Sequence, residues 1–172
     1  FGAQIISSPG GEGSNGAVRL AQRLAAENPQ WVFLYQYAND ANPRAHYEGT
    51  GPEIWSQCPQ ITHFVAGLGT SGTLMGVGRY LKERNPAVAV WAVEPPIGET
   101  VEGLRNLDEG YVPPVFDMWH GEDLLDRKLI VRPRESIEFA RRLVNECGIF
   151  AGISAGAPAA GAAKAAALID SG

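Results

Sequence analysis

The stretch "GLGTSGTLMGVGRYLKERNP", residues 67–86, decides the fold. An apolar run, Phe64-Val65-Ala66, leads into it, so it reads as strand, glycine turn and helix. Asn85-Pro86 stops the helix, since proline cannot continue one. Gly67, Gly69 and Gly72 match G-x-G-x-x-G, the fingerprint of a dinucleotide site, and Glu94 closes the next apolar run about where that fingerprint wants an acid. In such a turn glycines let backbone N–H groups approach an anion, and the helix N-terminus adds partial positive charge. Thr70, Ser71 and Thr73 add hydroxyl donors. Gly69, Thr70, Ser71, Gly72 and Thr73 therefore make a phosphate cup of neutral donors, fit for a dinucleotide or for another phosphate. The plainer alternative is that the glycines only pack the helix against a sheet.

Outward from this stretch, strands and helices alternate. Ala3–Ser7 reads as a short strand, Ser14–Asn28 as a helix stopped by Pro29, and "WVFLY" (31–35) as a buried strand. A helix is expected from about His46, then a strand at "ITHFVAG" before the opening helix, and another at "AVAVWAVEPP" after it. Residues 97–114 are irregular and rich in Gly and Pro. "KLIVRP" (128–133) reads as a strand. The clearest helix is "RESIEFARRLVNECG", with Ile137, Ala140, Leu143, Val144 and Cys147 along one face and Gly148 as its cap. "IFAGISAGAPAAGAAKAAALI" reads as a short strand, a tight turn and a small-residue helix. The strands are apolar rather than alternating, which implies an α/β fold: a parallel, doubly wound sheet with helices on both faces.

Composition narrows the function classes. The chain has 172 residues, enough for one sizeable core, with 45% hydrophobic and 19% charged residues, as in an ordinary globular protein. A formal net charge of −5 argues against nucleic acid as the main partner, because phosphate backbones are met by basic faces. No apolar run reaches membrane-spanning length. Cys58 and Cys147 are far apart and form no C-x-x-C pair, which suggests a reducing compartment. The chain starts at Phe1 in a strand-like run and stops at "AAALIDSG" directly after a helical pattern. Both ends suggest a fragment, with terminal processing as the alternative.

A second Gly/Ser turn, "GISAGAPAAG" (152–161), places Ser154 where a strand becomes a helix. Alone it reads as a helix cap. In a doubly wound sheet, strand ends gather along one edge, where ligands bind. A dinucleotide fold needs only the first turn; two suggest a flat ligand with backbone at both ends. Gly152, Ser154 and Gly156 also match the G-x-S-x-G nucleophile elbow, but only Asp170 follows and no His lies beyond His120, so the partners of such a nucleophile are missing. His46, His63 and His120 have no metal-ligand spacing with the cysteines or with one another. Lys82, Lys128 and Lys164 read as solvated surface.

Together these pieces resemble the cysteine synthase family, pyridoxal-phosphate enzymes of fold type II (tryptophan synthase β-like). The matching segments are "HYEGTGPEIWSQ", "HFVAGLGTSGTLMGVGRYLKERNP", "VWAVEP", "GLRNLDEGYVPPVFD" and "NECGIFAGISAGA", in the family's order. "EGSNGAV" and "LRNLDEGYVP" look most like the O-phosphoserine-using branch, the cysteine synthase B or M type. The resemblance implies pyridoxal 5'-phosphate as cofactor, its phosphate held by Gly69, Thr70, Ser71, Gly72 and Thr73 and its ring nitrogen faced by Ser154. A neutral serine there leaves the nitrogen unprotonated and moderates the electron sink. Arg105 stands where acetylserine-using members carry a small residue, and its planar fork of donors suits a substrate phosphate; the plainer alternative is a surface ion pair with Asp108 or Glu109.

One departure matters. The family's Schiff-base lysine lies upstream of the matched segments, and none of the three lysines here fits its position. The resemblance therefore implies no catalytic residue in this chain, and no activity from the chain alone. It makes residues 1–35 the C-terminal part of a small domain and 36–172 most of a large cofactor-binding domain. It further implies a small-molecule substrate, a sulfur donor that is either sulfide or a thiocarboxylated carrier protein, a homodimer, and a cytoplasmic location, with no nucleic-acid or membrane partner. Cystathionine β-synthase and threonine deaminase activities stay open within the family. Outside it, the rivals are an NAD(P)-binding Rossmann domain and a non-catalytic truncated paralogue.

Overall fold

In the computed structural model the chain is described over residues 2–169; Asp170, the acid downstream of Ser154, lies outside that range. The chain divides into two compact units between Tyr35 and Gln36. The first unit contains a 3₁₀ turn at Gly10–Glu12 and one helix, α1 (Gly13–Glu27), ended by the Asn28 N–H bonding back to the Leu24 carbonyl at 3.0 Å. The expected strands at 3–7 and 31–35 are absent. Both segments are irregular, and Ile5, Val32 and Leu34 are 88%, 84% and 73% exposed. A strand is completed by a neighbour's ladder, and no described residue supplies one here; apolar sequence alone does not satisfy backbone N–H and C=O groups.

The second unit holds the sheet. Its elements are α2 (Ala41–Ala45), a π-helical turn (His46–Thr50), α3 (Gly51–Gln57), β1 (His63–Gly67), α4 (Gly72–Arg84), β2 (Ala89–Glu94), α5 (Pro114–Met118), α6 (Gly121–Leu124), β3 (Arg127–Ile130), α7 (Pro133–Cys147) and α8 (Ile153–Leu168). The strands are parallel in the order β1-β2-β3, with Val65 opposite Trp91 and Val93 opposite Leu129. Parallel strands need crossovers, and α4 supplies the one between β1 and β2.

Period-two alternation sends successive residues to opposite faces. Phe64, Ala66, Val90 and Ala92 pack with Leu74 and Met75 of α4 and with Val115 and Phe116 of α5. Val65, Trp91, Val93 and Leu129 pack with Ala157, Ala160 and Ala165 of α8. Both faces are thus covered, which is why these strands read as unbroken apolar runs. A buried Val or Leu on either face contributes about 2 kcal/mol.

Three further expectations change. The helix placed at His46 begins at Ala41 and passes through the π turn. Of the α7 face, Ala140 is buried and Leu143 half-buried, but Ile137 and Val144 are each 38% exposed and Cys147 is exposed; Ser136 is the other buried residue of that helix. Gly148 does cap α7, in the left-handed region at φ 67°, with its N–H on the Val144 carbonyl at 3.1 Å. The short strand expected before α8 is irregular at 149–152, with Phe150 94% exposed and no strand among the described residues to pair it. No helix among the described residues is long and apolar enough to cross a membrane.

Candidate active site

The turn after β1 is set by two backbone bonds. The Leu68 N–H donates to the Val93 carbonyl at 2.9 Å, and the Leu68 carbonyl accepts from the Arg105 N–H at 2.7 Å. The chain after β2 therefore passes directly over the turn. A side chain at Gly69 would put its Cβ 2.5 Å from the Gly103 carbonyl oxygen, so only glycine lets the two loops close this tightly. Ser71, two residues on, is buried and sits at φ 67° in the left-handed region, where a non-glycine residue carries a conformational cost of order 1–2 kcal/mol. Its hydroxyl donates to the Thr70 carbonyl at 2.5 Å. This kink opens α4, so the first N–H groups of that helix, which have no partner within it, face the turn.

The resulting cleft, of about 310 Å³, is lined by Gly67, Gly69, Thr70, Ser71, Gly72, Thr73, Gly103, Leu104 and Ser154. Every residue named from sequence for the cup is on it, and so is Ser154 from the head of α8. Ser154 is not the cap: Gly152 holds that position with extended backbone, and Ser154 lies exposed in the first turn. The lining carries no charged side chain. It offers backbone N–H groups and the hydroxyls of Thr70, Thr73 and Ser154, the Ser71 hydroxyl being engaged by the Thr70 carbonyl, a set suited to a phosphate at one end and a neutral ring atom at the other.

Glu94 and the three lysines named from sequence lie outside the lining. Glu94 is completely buried; its Oε1 accepts from the Leu107 N–H at 3.1 Å, and Lys128 Nζ stands 3.8 Å from Oε2. Burial is the main cause of a carboxyl pKa raised above the ordinary range. This acid braces the loop after β2 and does not face the cleft, so the dinucleotide fingerprint loses the residue that would hold a ribose. Lys128, read as solvated, bridges Glu94 and Asp108, the latter at 2.9 Å. Lys82 pairs with Asp126 at 2.7 Å and Lys164 with Glu135 at 2.7 Å.

Arg105 follows the last lining residue of this loop. Its guanidinium carbon lies 4.6 Å from the Tyr37 ring centroid and 4.5 Å from that of Tyr111. Stacking engages the flat faces of the group. Asp108 is engaged by Lys128, and Glu109 accepts from the Gly98 N–H at 2.6 Å.

A model of the family described as "Pyridoxal-phosphate dependent enzyme" matches residues 1–172. The chain belongs to that family. It is 44% identical over 157 residues to cysteine synthase B of Pseudomonas aeruginosa, covering 91% of this chain and 51% of the relative. It is 41% identical over 160 residues to a cysteine synthase of Aquifex aeolicus, with 91% and 48% covered. Among solved structures, an O-ureido-L-serine synthase superposes with a TM-score of 0.86 at 36% identity, over 99% of this chain and 55% of that one. The chain spans about half the length of the curated relatives it matches. The cofactor of the family is pyridoxal phosphate, and the uncharged N–H and hydroxyl groups of the cup fit its phosphate in donor chemistry.

The sequence reading missed the segment behind the cup. Asn42 Nδ2 donates to Thr70 Oγ1 at 2.9 Å, and His46 Nε2 lies 3.1 Å from Thr73 Oγ1. His46 was weighed only as a metal ligand. The spacing of Asn42 and His46, one helical turn, was a readable signal; the π turn that aims His46 was not.

Proposed function

We propose that the chain is part of a pyridoxal-phosphate-dependent cysteine synthase, which makes L-cysteine by β-replacement on an activated serine with a sulfur donor. The observation that carries this reading is the shared cleft: an uncharged cup at the head of α4 and Ser154 from the head of α8 on one surface. When bound, the cofactor supplies an electron sink that lets a β-substituent leave and a sulfur nucleophile replace it. The residues of this chain bind and orient. Gly69, Thr70, Ser71, Gly72 and Thr73 hold the phosphate through N–H and hydroxyl donors. Ser154 faces the ring nitrogen with a hydroxyl, which gives that atom no full proton and restrains side reactions that need a stronger sink.

Substrate choice rests on Arg105. Next in sequence to Leu104 of the lining and stacked on Tyr37 and Tyr111, its cation favours O-phosphoserine over O-acetylserine by meeting the leaving phosphate's charge as it develops. The three lysines are in ion pairs away from the cleft, so the covalent anchor belongs to the part of the relatives' length outside this chain, and this chain alone does not turn over. On this reading residues 1–35 belong to a small domain and 36–172 to the large cofactor-binding domain. A homodimer in the cytoplasm, drawing sulfur from sulfide or a thiocarboxylated carrier protein, completes it.

The test uses the full-length protein loaded with pyridoxal phosphate and assayed with O-phosphoserine and O-acetylserine side by side. Arg105→Ala is expected to lower kcat/KM for O-phosphoserine by about 10²-fold, roughly 3 kcal/mol of lost electrostatic stabilisation, and to change O-acetylserine far less. An equal loss on both would assign Arg105 to the fold or cofactor. No turnover of either by the loaded protein would favour the non-catalytic paralogue.

A further inference from the structure

The segment 41–50 makes no lining of the cleft, yet it touches two of the cup's hydroxyls. Asn42 uses both N–H bonds of its amide: Nδ2 donates to the Gln36 carbonyl at 2.8 Å and to Thr70 Oγ1 at 2.9 Å. Thr70 Oγ1 also accepts from the Gly72 N–H at 3.3 Å. A hydroxyl oxygen has two lone pairs and one proton. With both lone pairs occupied, the Thr70 proton is left to donate.

One turn further along, His46 sits between two hydroxyls, Nδ1 at 3.0 Å from Thr50 Oγ1 and Nε2 at 3.1 Å from Thr73 Oγ1. Burial holds its pKa below the ordinary imidazole range, so the ring is neutral at pH 7 and carries one N–H. If Thr50 donates to Nδ1, the proton stands on Nε2, which donates to Thr73 Oγ1 and turns the Thr73 proton outward. An anion in the cup favours that ordering, because it gives the anion a donor. The contact between ring and Thr50 spans the π turn, a feature that recurs at functional sites. Close packing of α4 holds the segment in place. A Cβ at Gly76 would come 2.2 Å from the Pro43 carbonyl oxygen and 2.7 Å from His46 Cβ; one at Gly72 would come within 2.4 Å of Asn42 Cγ.

We propose that Asn42 and His46 are positioning residues that fix the Thr70 and Thr73 hydroxyls as donors toward a phosphate group in the cup. This rests on reading residues 69–73 as the phosphate site. Neither residue touches the ligand: each sets the direction of a proton one bond away. Thr50 completes the relay by choosing the tautomer of His46.

The experiment compares the full-length apoprotein with its Asn42→Ala, His46→Phe, His46→Gln and Thr50→Val variants. Three probes are titrated: pyridoxal phosphate, pyridoxal without the phosphate, and inorganic phosphate. Asn42→Ala and His46→Phe are each expected to weaken pyridoxal phosphate and inorganic phosphate about tenfold, the loss of one hydrogen bond to a charged group, and to leave pyridoxal within about twofold. His46→Gln keeps an N–H near Thr73 and is expected to recover most of the loss. The ³¹P resonance of bound cofactor should move in His46→Phe and return in His46→Gln. Equal affinity for phosphate in all four variants overturns the proposal, as does an equal loss on pyridoxal and pyridoxal phosphate, the mark of a merely structural role. If His46→Phe does not fold, Thr50→Val and His46→Gln decide it: Thr50→Val must weaken phosphate more than His46→Gln does. A parent protein that binds inorganic phosphate but not pyridoxal phosphate would refute the proposed function while the variants still test this relay.

Discussion

The turns at the heads of α4 and α8 share a recipe, an apolar run followed by Gly and Ser and then a helix, but only the first is built into a core. The run before α4 is β1, paired along its length with β2, and its turn has a buried, left-handed Ser71 braced by the Gly103–Arg105 segment. The run before α8 is unpaired, Phe150 is 94% exposed, and Ser154 is exposed on a turn with ordinary dihedrals. Backbone strain costs stability and persists only where surroundings over-determine it. On the proposed reading the first turn carries binding energy and specificity of geometry, while the second contributes a single hydroxyl.

Several substitutions would break or sharpen this contrast. Gly72→Val should have the largest effect. Any Cβ there falls within 2.4 Å of Asn42 Cγ, so the Asn42 amide must swing away from Thr70 Oγ1, at a cost of about 1–3 kcal/mol in stability and with loss of cofactor retention beyond that. Thermal unfolding and cofactor titration of the full-length protein would show it. Unchanged retention would mean that the cup tolerates displacement of its support. Thr73→Ala comes next. Loss of a hydroxyl donor to a charged group should weaken cofactor binding by roughly 1–3 kcal/mol, with a smaller loss of apoprotein stability from the His46 hydrogen bond it also removes.

Glu94, at the end of the neighbouring strand, predicts a pH effect. Its folded-state pKa is raised, chiefly by burial, so the folded protein keeps this proton where the unfolded chain has released it. The stability it contributes is complete below the ordinary carboxylate range and is lost as pH rises through the raised value. Glu94→Gln should flatten the stability profile over that window, measured by denaturant unfolding at a series of pH values. A profile parallel to the parent's would mean that Glu94 is solvated in the folded state. Ser154→Ala should have the smallest effect on stability, within about 0.5 kcal/mol for an exposed position. It should nonetheless alter the absorption spectrum of bound cofactor, while Ser154→Asp, which protonates the ring nitrogen, should alter it further and change the reaction partition. Identical spectra in both would leave Ser154 a surface residue of the first helical turn.

Much of the sheet was legible because its signals are local. The runs at 63–67 and 89–94 are apolar on both faces, and the helix between them is bounded by a glycine turn and by Pro86. The runs at 3–7, 31–35 and 149–152 carry the same apolar signal and form no strand, since pairing depends on a neighbour that sequence windows do not contain. That residues 69–73 share one turn was legible for a related reason: their glycines and hydroxyl residues lie between a strand signal and a helix signal. The support of that turn was not. Whether Glu94 points at a ligand or braces Leu107, and whether His46 meets a metal or Thr73, depends on contacts spanning 13 and 27 residues of sequence. Family resemblance singles out Arg105 in the sequence, but its place between Tyr37 and Tyr111 required the fold.

The central claim is that the neutral cup at residues 69–73 holds the cofactor phosphate. Crystals of the full-length protein grown with pyridoxal phosphate test it most directly. The phosphate is expected within hydrogen-bonding distance of the Thr70 and Thr73 hydroxyls and the N–H groups opening α4, with the ring running toward Ser154. Cofactor bound with its phosphate elsewhere, and this turn facing only solvent, would contradict the account.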